Sequence, residues 1–214
     1  AAAQSTLASS INCSATLALC DIYRRYFRPQ AEARESMRVL HLATLGALLV
    51  YFGTEWRRLV PAGLAALRDR SLGSDPDRRI AWLIAASTVP AAVAGYLLND
   101  PIEASVRRPG LVAVMLVVGG AILWFAERRG RRGRSIAGLS FPAAVGIGFA
   151  QALALVPGIS RSGISIAAGL FAGLDREAAA RYSFLMAAPI IAGAGAFETR
   201  QLLVGAVDTA VSPG

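Results

Sequence analysis

Residues 156–165 read VPGISRSGIS. Three hydroxyls (Ser160, Ser162 and Ser165) and one guanidinium (Arg161) fall within six consecutive positions, with Gly158 just before them and Gly163 among them. Between residues 141 and 174, Arg161 is the only charged side chain. A guanidinium matches phosphate oxygens through two parallel hydrogen bonds. Hydroxyls add further donors, and glycines let the backbone approach a ligand closely. A helix starting near Gly163 would aim free N–H groups and its positive dipole end at the same place. These are the parts of a phosphate cradle, in which Arg161, Ser160 and Ser162 would meet the charge of a bound phosphate. Gly158, Gly163 and Ser165 would shape and bind it. The plainer alternative is a kink at Pro157-Gly158, with the serines bonded to helix carbonyls and Arg161 snorkelling to an interface.

The surroundings of this stretch are apolar. Of the 214 residues, 55% are hydrophobic and 17% charged, against about a quarter charged in a soluble domain. The apolar residues come in blocks, at 39–52, 80–98, 111–126 and 182–197, separated by arginine-rich segments. About 20 residues span a bilayer, and about 17 suffice, so three of the four blocks need their flanks. Two further blocks, 141–156 and 163–174, flank the motif, and each is short for a span. Their break at Pro157-Gly158 suits a pair of helices that dips into the membrane and returns. The expected fold is all-α: a polytopic membrane bundle containing a re-entrant pair at 141–174, with residues 1–214 forming one integral membrane domain.

An arginine at bilayer depth is expensive, about 3 kcal/mol even on lenient scales, and normally faces a cavity or a partner. No carboxylate lies within 141–174, so an anionic ligand would supply the missing partner. A phosphate bound at that depth is expected on a lipid whose tail lies in the bilayer.

The basic residues orient the chain. All 22 are arginine, giving a formal charge of +8. They gather where apolar blocks end, which favours anionic headgroups over nucleic acid as the partner. Segment 54–79 carries six arginines, 127–140 five, and 99–110 between them two. Alternating spans place 54–79 and 127–140 on one side, cytoplasmic by the positive-inside rule. Residues 1–20 are small and hydroxylated, and 21–36 read as an interfacial stretch. Cys13 and Cys20 lack further Cys or His ligands for a metal and read as apolar fillers. No signal-peptide pattern opens the chain.

The run QALALVPGISRSGISIAAGLFAGLDREAAARYSFLMAAPIIAGAG resembles the second signature of the undecaprenyl-diphosphate phosphatases, the bacitracin-resistance family. The family pattern there is close to QxxALxPGxSRSGxT, followed by a glycine-rich helix and an FSFL-type start to the next span. Here Ser165 replaces the usual Thr and Tyr182 the usual Phe. The resemblance extends over residues 37–197. It implies a bacterial inner-membrane enzyme built from inverted repeats with two re-entrant pairs. That enzyme removes the terminal phosphate of undecaprenyl diphosphate, regenerating the lipid carrier for peptidoglycan synthesis, with a divalent cation such as Mg2+ or Ca2+. Ser160, Arg161, Ser162 and Ser165 would then be its phosphate-binding and catalytic residues, and a homo-oligomer is compatible with this reading.

The family's first signature resembles EGxTEFLPxSSxGH. Set against QSTLASSINCSATL, it matches Gln4 and Ser14, puts Cys13 in place of a serine, and leaves Ala8 and Leu17 where a Glu and a His are expected. Ser14 joins the candidate substrate contacts on that register. His41, the only histidine, either lines the phosphate cavity or is hydrogen-bonded within a helix bundle. Gln151, ten residues before Arg161, either lines the cavity or bonds across helices. The missing acid and histidine leave a second function open, the binding or translocation of polyprenyl phosphate lipids without hydrolysis. A lipid phosphatase of the acid-phosphatase type needs two histidines and is excluded.

Overall fold

The structure is a computed structural model that describes residues 33–72, 74–105, 109–130 and 133–211, with side chains described at 39, 42–72, 74–98, 109–130 and 133–193. Among them the chain is helical: α1 (Ala33–Tyr51), α2 (Gly53–Asp69), α3 (Pro76–Ser105), α4 (Pro109–Arg129), α5 (Phe141–Ala152), α6 (Arg161–Phe171) and α7 (Arg176–Val211). Short 3₁₀ turns lie at Ile136–Gly138 and Leu153–Leu155. Among the described residues, 53–187 form one compact unit, while 33–52 and 188–211, to which α1 and the end of α7 belong, fall outside it. The anticipated segment at 1–32, with Cys13, Ser14 and Cys20, lies outside the described residues.

Within residues 53–187, α3 packs on α2 and α5, while α6 packs on α4 and α5. Small residues set these distances. A Cβ on Gly148 of α5 would stand 2.1 Å from the Ser87 carbonyl oxygen of α3, so the two backbones meet there with no room for a side chain. Ala144, Ile147, Gly148 and Gln151 form the buried stripe of α5, at the spacing of a single helix face. The segments Pro76–Leu98 and Pro109–Arg129 are long and apolar enough to cross a membrane. On α4, Val114, Leu116, Val117, Trp124 and Phe125 are all exposed. An exposed apolar helix face on this scale needs an apolar environment.

The α5–α6 pair goes out and comes back. Arg134, before α5, forms a parallel bridge with Leu174, after α6. The Arg134 N–H donates to the Gly173 carbonyl (3.0 Å), and the Asp175 N–H donates to that of Arg134 (3.1 Å). Both ends of the pair therefore lie at one face. The start of α3 joins them, because Arg79 donates to the carbonyls of Ala137 (3.1 Å) and Leu139 (2.9 Å). Ion pairs collect at the same end: Arg58–Asp77 at 2.8 Å, Arg176–Glu127 and Arg181–Glu55.

Three expectations change in detail. Segment 54–79 contains a helix, α2, where a loop was expected. Its Leu59 and Ala66 are buried and Arg58 pairs with Asp77, so the segment packs on α3 despite Pro61. Block 141–156 ends its α-helix at Ala152 and tightens into a 3₁₀ turn. The return helix begins at Arg161, two residues before Gly163, because Ser160 caps it.

Candidate functional site

The turn between α5 and α6 is built by its caps and glycines. Ser160 has extended backbone (φ −67°, ψ 121°), and its hydroxyl oxygen accepts from the Gly163 N–H at 3.2 Å, the usual N-cap arrangement. Arg161 and Ser162 are then the first helical residues, whose N–H groups have no acceptor within the helix. Ser162 Oγ lies 3.4 Å from Ser160 Oγ. Arg161 is exposed, and among the described residues no carboxylate pairs with it. Two hydroxyls, uncapped amides and the positive end of an 11-residue helix thus gather at the start of α6, with Arg161 as its first residue. This set of donors suits an anion with several oxygens.

The other candidates serve differently. Gly158 has φ +101°, and a Cβ there would lie 2.4 Å from the Val112 carbonyl oxygen and 2.9 Å from Met115 Cβ. Its bare backbone lets the turn press on α4. A Cβ on Gly163 would crowd the Ser160 side chain at 3.2 Å, so this glycine keeps the cap compact. Ser165 is buried, with Oγ 2.8 Å from the Arg161 carbonyl, 3.2 Å from that of Ser162 and 2.6 Å from Ser183 Oγ. Its hydroxyl is turned into the helix and toward α7. Gln151 is 3% exposed, and neither its Oε1 nor its Nε2 has a hydrogen-bond partner. His41 lies on α1, with its side chain outside the description.

Two residues of α7 outside the motif brace the surrounding helices, Ser183 against the first turn of α6 and Tyr182 against α3. They are consecutive on α7 and so point to different neighbours. Ser183 reaches Ser165 on α6, while the Tyr182 hydroxyl lies 2.8 Å from the Leu83 carbonyl and 2.9 Å from Ser87 Oγ on α3. The signal was in the sequence, since Ser183 is a polar residue inside an apolar block and Tyr182 a hydroxyl where Phe is usual.

Two apolar helices of membrane-crossing length beside a broken helix pair, with a donor-rich helix start at the break, define an all-helical protein of membrane type. The profile of the family described as "Bacitracin resistance protein BacA" matches residues 10–212, and the chain belongs to that family. Similar curated proteins carry the name undecaprenyl-diphosphatase. That of Rubrobacter xylanophilus is 50% identical over 165 residues, covering 77% of this chain and 60% of the relative. That of Desulforudis audaxviator is 44% identical over 159 residues (74% and 59%), and that of Thermomicrobium roseum 43% over 175 (77% and 62%). The chain spans about three-fifths of the length of these relatives.

Proposed function

We propose that this protein is a membrane phosphatase that hydrolyses undecaprenyl diphosphate to undecaprenyl phosphate and inorganic phosphate. The observation that carries this reading is the start of α6, where the Ser160 and Ser162 hydroxyls lie 3.4 Å apart on either side of Arg161, which no carboxylate pairs among the described residues. In the reaction the P–O bond to the bridging oxygen breaks, and water supplies the oxygen of the released phosphate. Arg161, the free N–H groups of α6 and the serine hydroxyls meet the negative charge on the phosphoryl oxygens, which favours the transition state when the donors are already in place. Ser165 and Ser183 hold the first turn, and Gly158 fixes the turn against α4.

The proposed setting is the bacterial inner membrane, crossed several times, with the basic face of α2, α3 and α4 cytoplasmic. The α5–α6 pair enters from that face and returns to it. On this reading the twelve residues of α5, at about 1.5 Å each, would carry the turn about 18 Å inward, past the middle of an apolar core about 30 Å thick. A diphosphate whose prenyl tail lies among lipid chains reaches this level. Inverted repeats and a homo-oligomer belong to the same proposal.

The resemblance also implies a divalent cation. Among the described residues no three His, Cys, Asp or Glu side chains group to hold one, and the turn offers hydroxyls, amides and a cation instead. These residues do not fit a metal, so no proposed step runs through it.

A second reading, lipid binding or translocation without hydrolysis, is favoured by Ala8 and Leu17 standing where the first signature expects Glu and His. One experiment separates the two. Phosphate release from undecaprenyl diphosphate is measured for the purified protein in detergent, with magnesium, with calcium and with chelator, beside Arg161→Ala. Release abolished by the substitution supports the phosphatase. Lipid binding that needs Arg161, without release, supports the carrier.

A further inference from the structure

A crevice of about 330 Å3 lies at the end of α2, lined by the apolar side chains of Ala66, Leu67, Leu72 and Phe141 together with Arg70 and Trp82. It belongs to the basic face, with α5 between it and the serine–arginine turn. Arg70 has φ +51°, the left-handed region that side-chain-bearing residues rarely enter. The Ser71 N–H donates to the Ala66 carbonyl (3.1 Å) and the Arg70 N–H to that of Leu67 (3.4 Å). This is a Schellman ending whose left-handed position is ordinarily glycine. An arginine there is a strained choice, and such strain gathers at functional positions.

A further observation points to a ligand. The carboxylate next to Arg70, Asp69, is taken by Arg78 at 2.9 Å, and no carboxylate pairs with Arg70 among the described residues. The crevice thus combines apolar walls with a cation that no carboxylate neutralises among the described residues. Its helix exposes Val60, Leu64 and Leu67, positions i, i+4 and i+7 of one face, beside Arg57 and Arg68, as an interfacial helix does.

We infer that this crevice binds an anionic phospholipid of the cytoplasmic leaflet. Arg70 takes the headgroup phosphate, and one acyl chain lies along Leu67, Leu72 and Phe141. The inference rests on the membrane reading and is independent of the phosphatase activity.

The test uses the full chain, purified and delipidated in detergent, with dioleoylphosphatidylglycerol or dioleoylphosphatidylcholine added and retained lipid counted by native mass spectrometry. Phosphatidylglycerol should be retained about fivefold better, the preference one arginine near an anionic headgroup supplies. Arg70→Gly should abolish that preference while raising the melting temperature, since glycine relieves the backbone. Leu67→Gln, which puts an amide on an exposed wall of the crevice, should lower retention of both lipids. Equal retention of the two lipids by the unmodified protein, or unchanged retention by both variants, overturns the inference. So does displacement of the lipid by millimolar inorganic phosphate, which would mean a site for the free anion. Phosphate release from the same preparation scores the enzymatic reading separately.

Discussion

The hydroxyl oxygens of Ser165 and Ser183 lie 2.6 Å apart, both buried, and join the first turn of α6 to α7. Ser165 has a single proton to give, and the Arg161 carbonyl stands 2.8 Å away to take it. Either hydroxyl can donate in the contact between them. The chain of contacts runs Ser183, Ser165, Arg161 carbonyl, so Ser183 positions the helix start while touching no ligand itself. Removing either hydroxyl should cost about 1 kcal/mol of stability, the usual net value of one hydrogen bond. It should also lower phosphate release roughly tenfold through misplacement of Arg161. A double-mutant cycle with Ser165→Ala and Ser183→Ala checks this, because coupled partners are non-additive. Strictly additive losses, or full activity in Ser183→Ala, would remove the positioning role.

Arg161 separates charge from geometry. It is exposed and unpaired among the described residues, so its replacement leaves folding intact. Arg161→Lys keeps the charge and loses the planar fork. The expected result is an unchanged melting temperature with phosphate release down by about 10²-fold or more, the scale for removing one aimed donor. A lysine variant with normal turnover would show that a bare positive charge suffices.

Gly148 and Gly158 are packing positions, and Gly146 is their control. A Cβ at Gly148 would meet the Ser87 carbonyl at 2.1 Å, and one at Gly158 the Val112 carbonyl at 2.4 Å with φ +101°, whereas nothing lies within 4 Å at Gly146. Alanine at 148 or 158 should therefore destabilise by about 1–3 kcal/mol, the range for overpacking. Alanine at 146 should be neutral or stabilising by up to about 1 kcal/mol, through helix propensity. Thermal unfolding of the three variants in detergent decides this, and equal shifts would refute the close α3–α5 and turn–α4 contacts.

The motif itself was legible because an arginine in an apolar run is costly and so conspicuous. The out-and-back pair was legible because Pro157-Gly158 breaks a pattern too short to span. Helix α2 was hidden: six arginines and Pro61 between residues 54 and 79 read as a loop, and only its packing through Leu59, Gly63 and Ala66 on α3 makes it a helix. The separate duties of the glycines and serines were not legible either. Spacing places Ser160, Ser162 and Ser165 together, but a capping hydroxyl, a free one and a buried one differ only by their partners in three dimensions. Ser183, 18 positions beyond Ser165, became part of the site through tertiary contact alone.

Tyr182 should prove structural. Its hydroxyl bridges α7 to Leu83 and Ser87 of α3, while the family pattern tolerates Phe there. Tyr182→Phe removes the hydroxyl and leaves Ser87 its own bond to the Ile84 carbonyl at 2.9 Å. A loss of about 1 kcal/mol is expected, with turnover and KM unchanged. A selective fall in turnover would instead give this hydroxyl a part in the chemistry.

Gln151 carries the opposite balance of stability and function. It is buried on the α3-facing stripe of α5, near the start of the turn, with both amide atoms unpartnered. An unsatisfied buried amide costs about 1–3 kcal/mol, and a fold without use for the group would gain by replacing it. Gln151→Leu, similar in volume and apolar, should raise the melting temperature. If the amide completes the anion site when the diphosphate is bound, the same variant should raise KM for undecaprenyl diphosphate severalfold or more. Thermal unfolding and steady-state phosphate release on one preparation read both effects. Higher stability with unchanged kinetics would make Gln151 a cross-helix residue with no share in the site, and lower stability would mean that the amide already has a partner in the membrane.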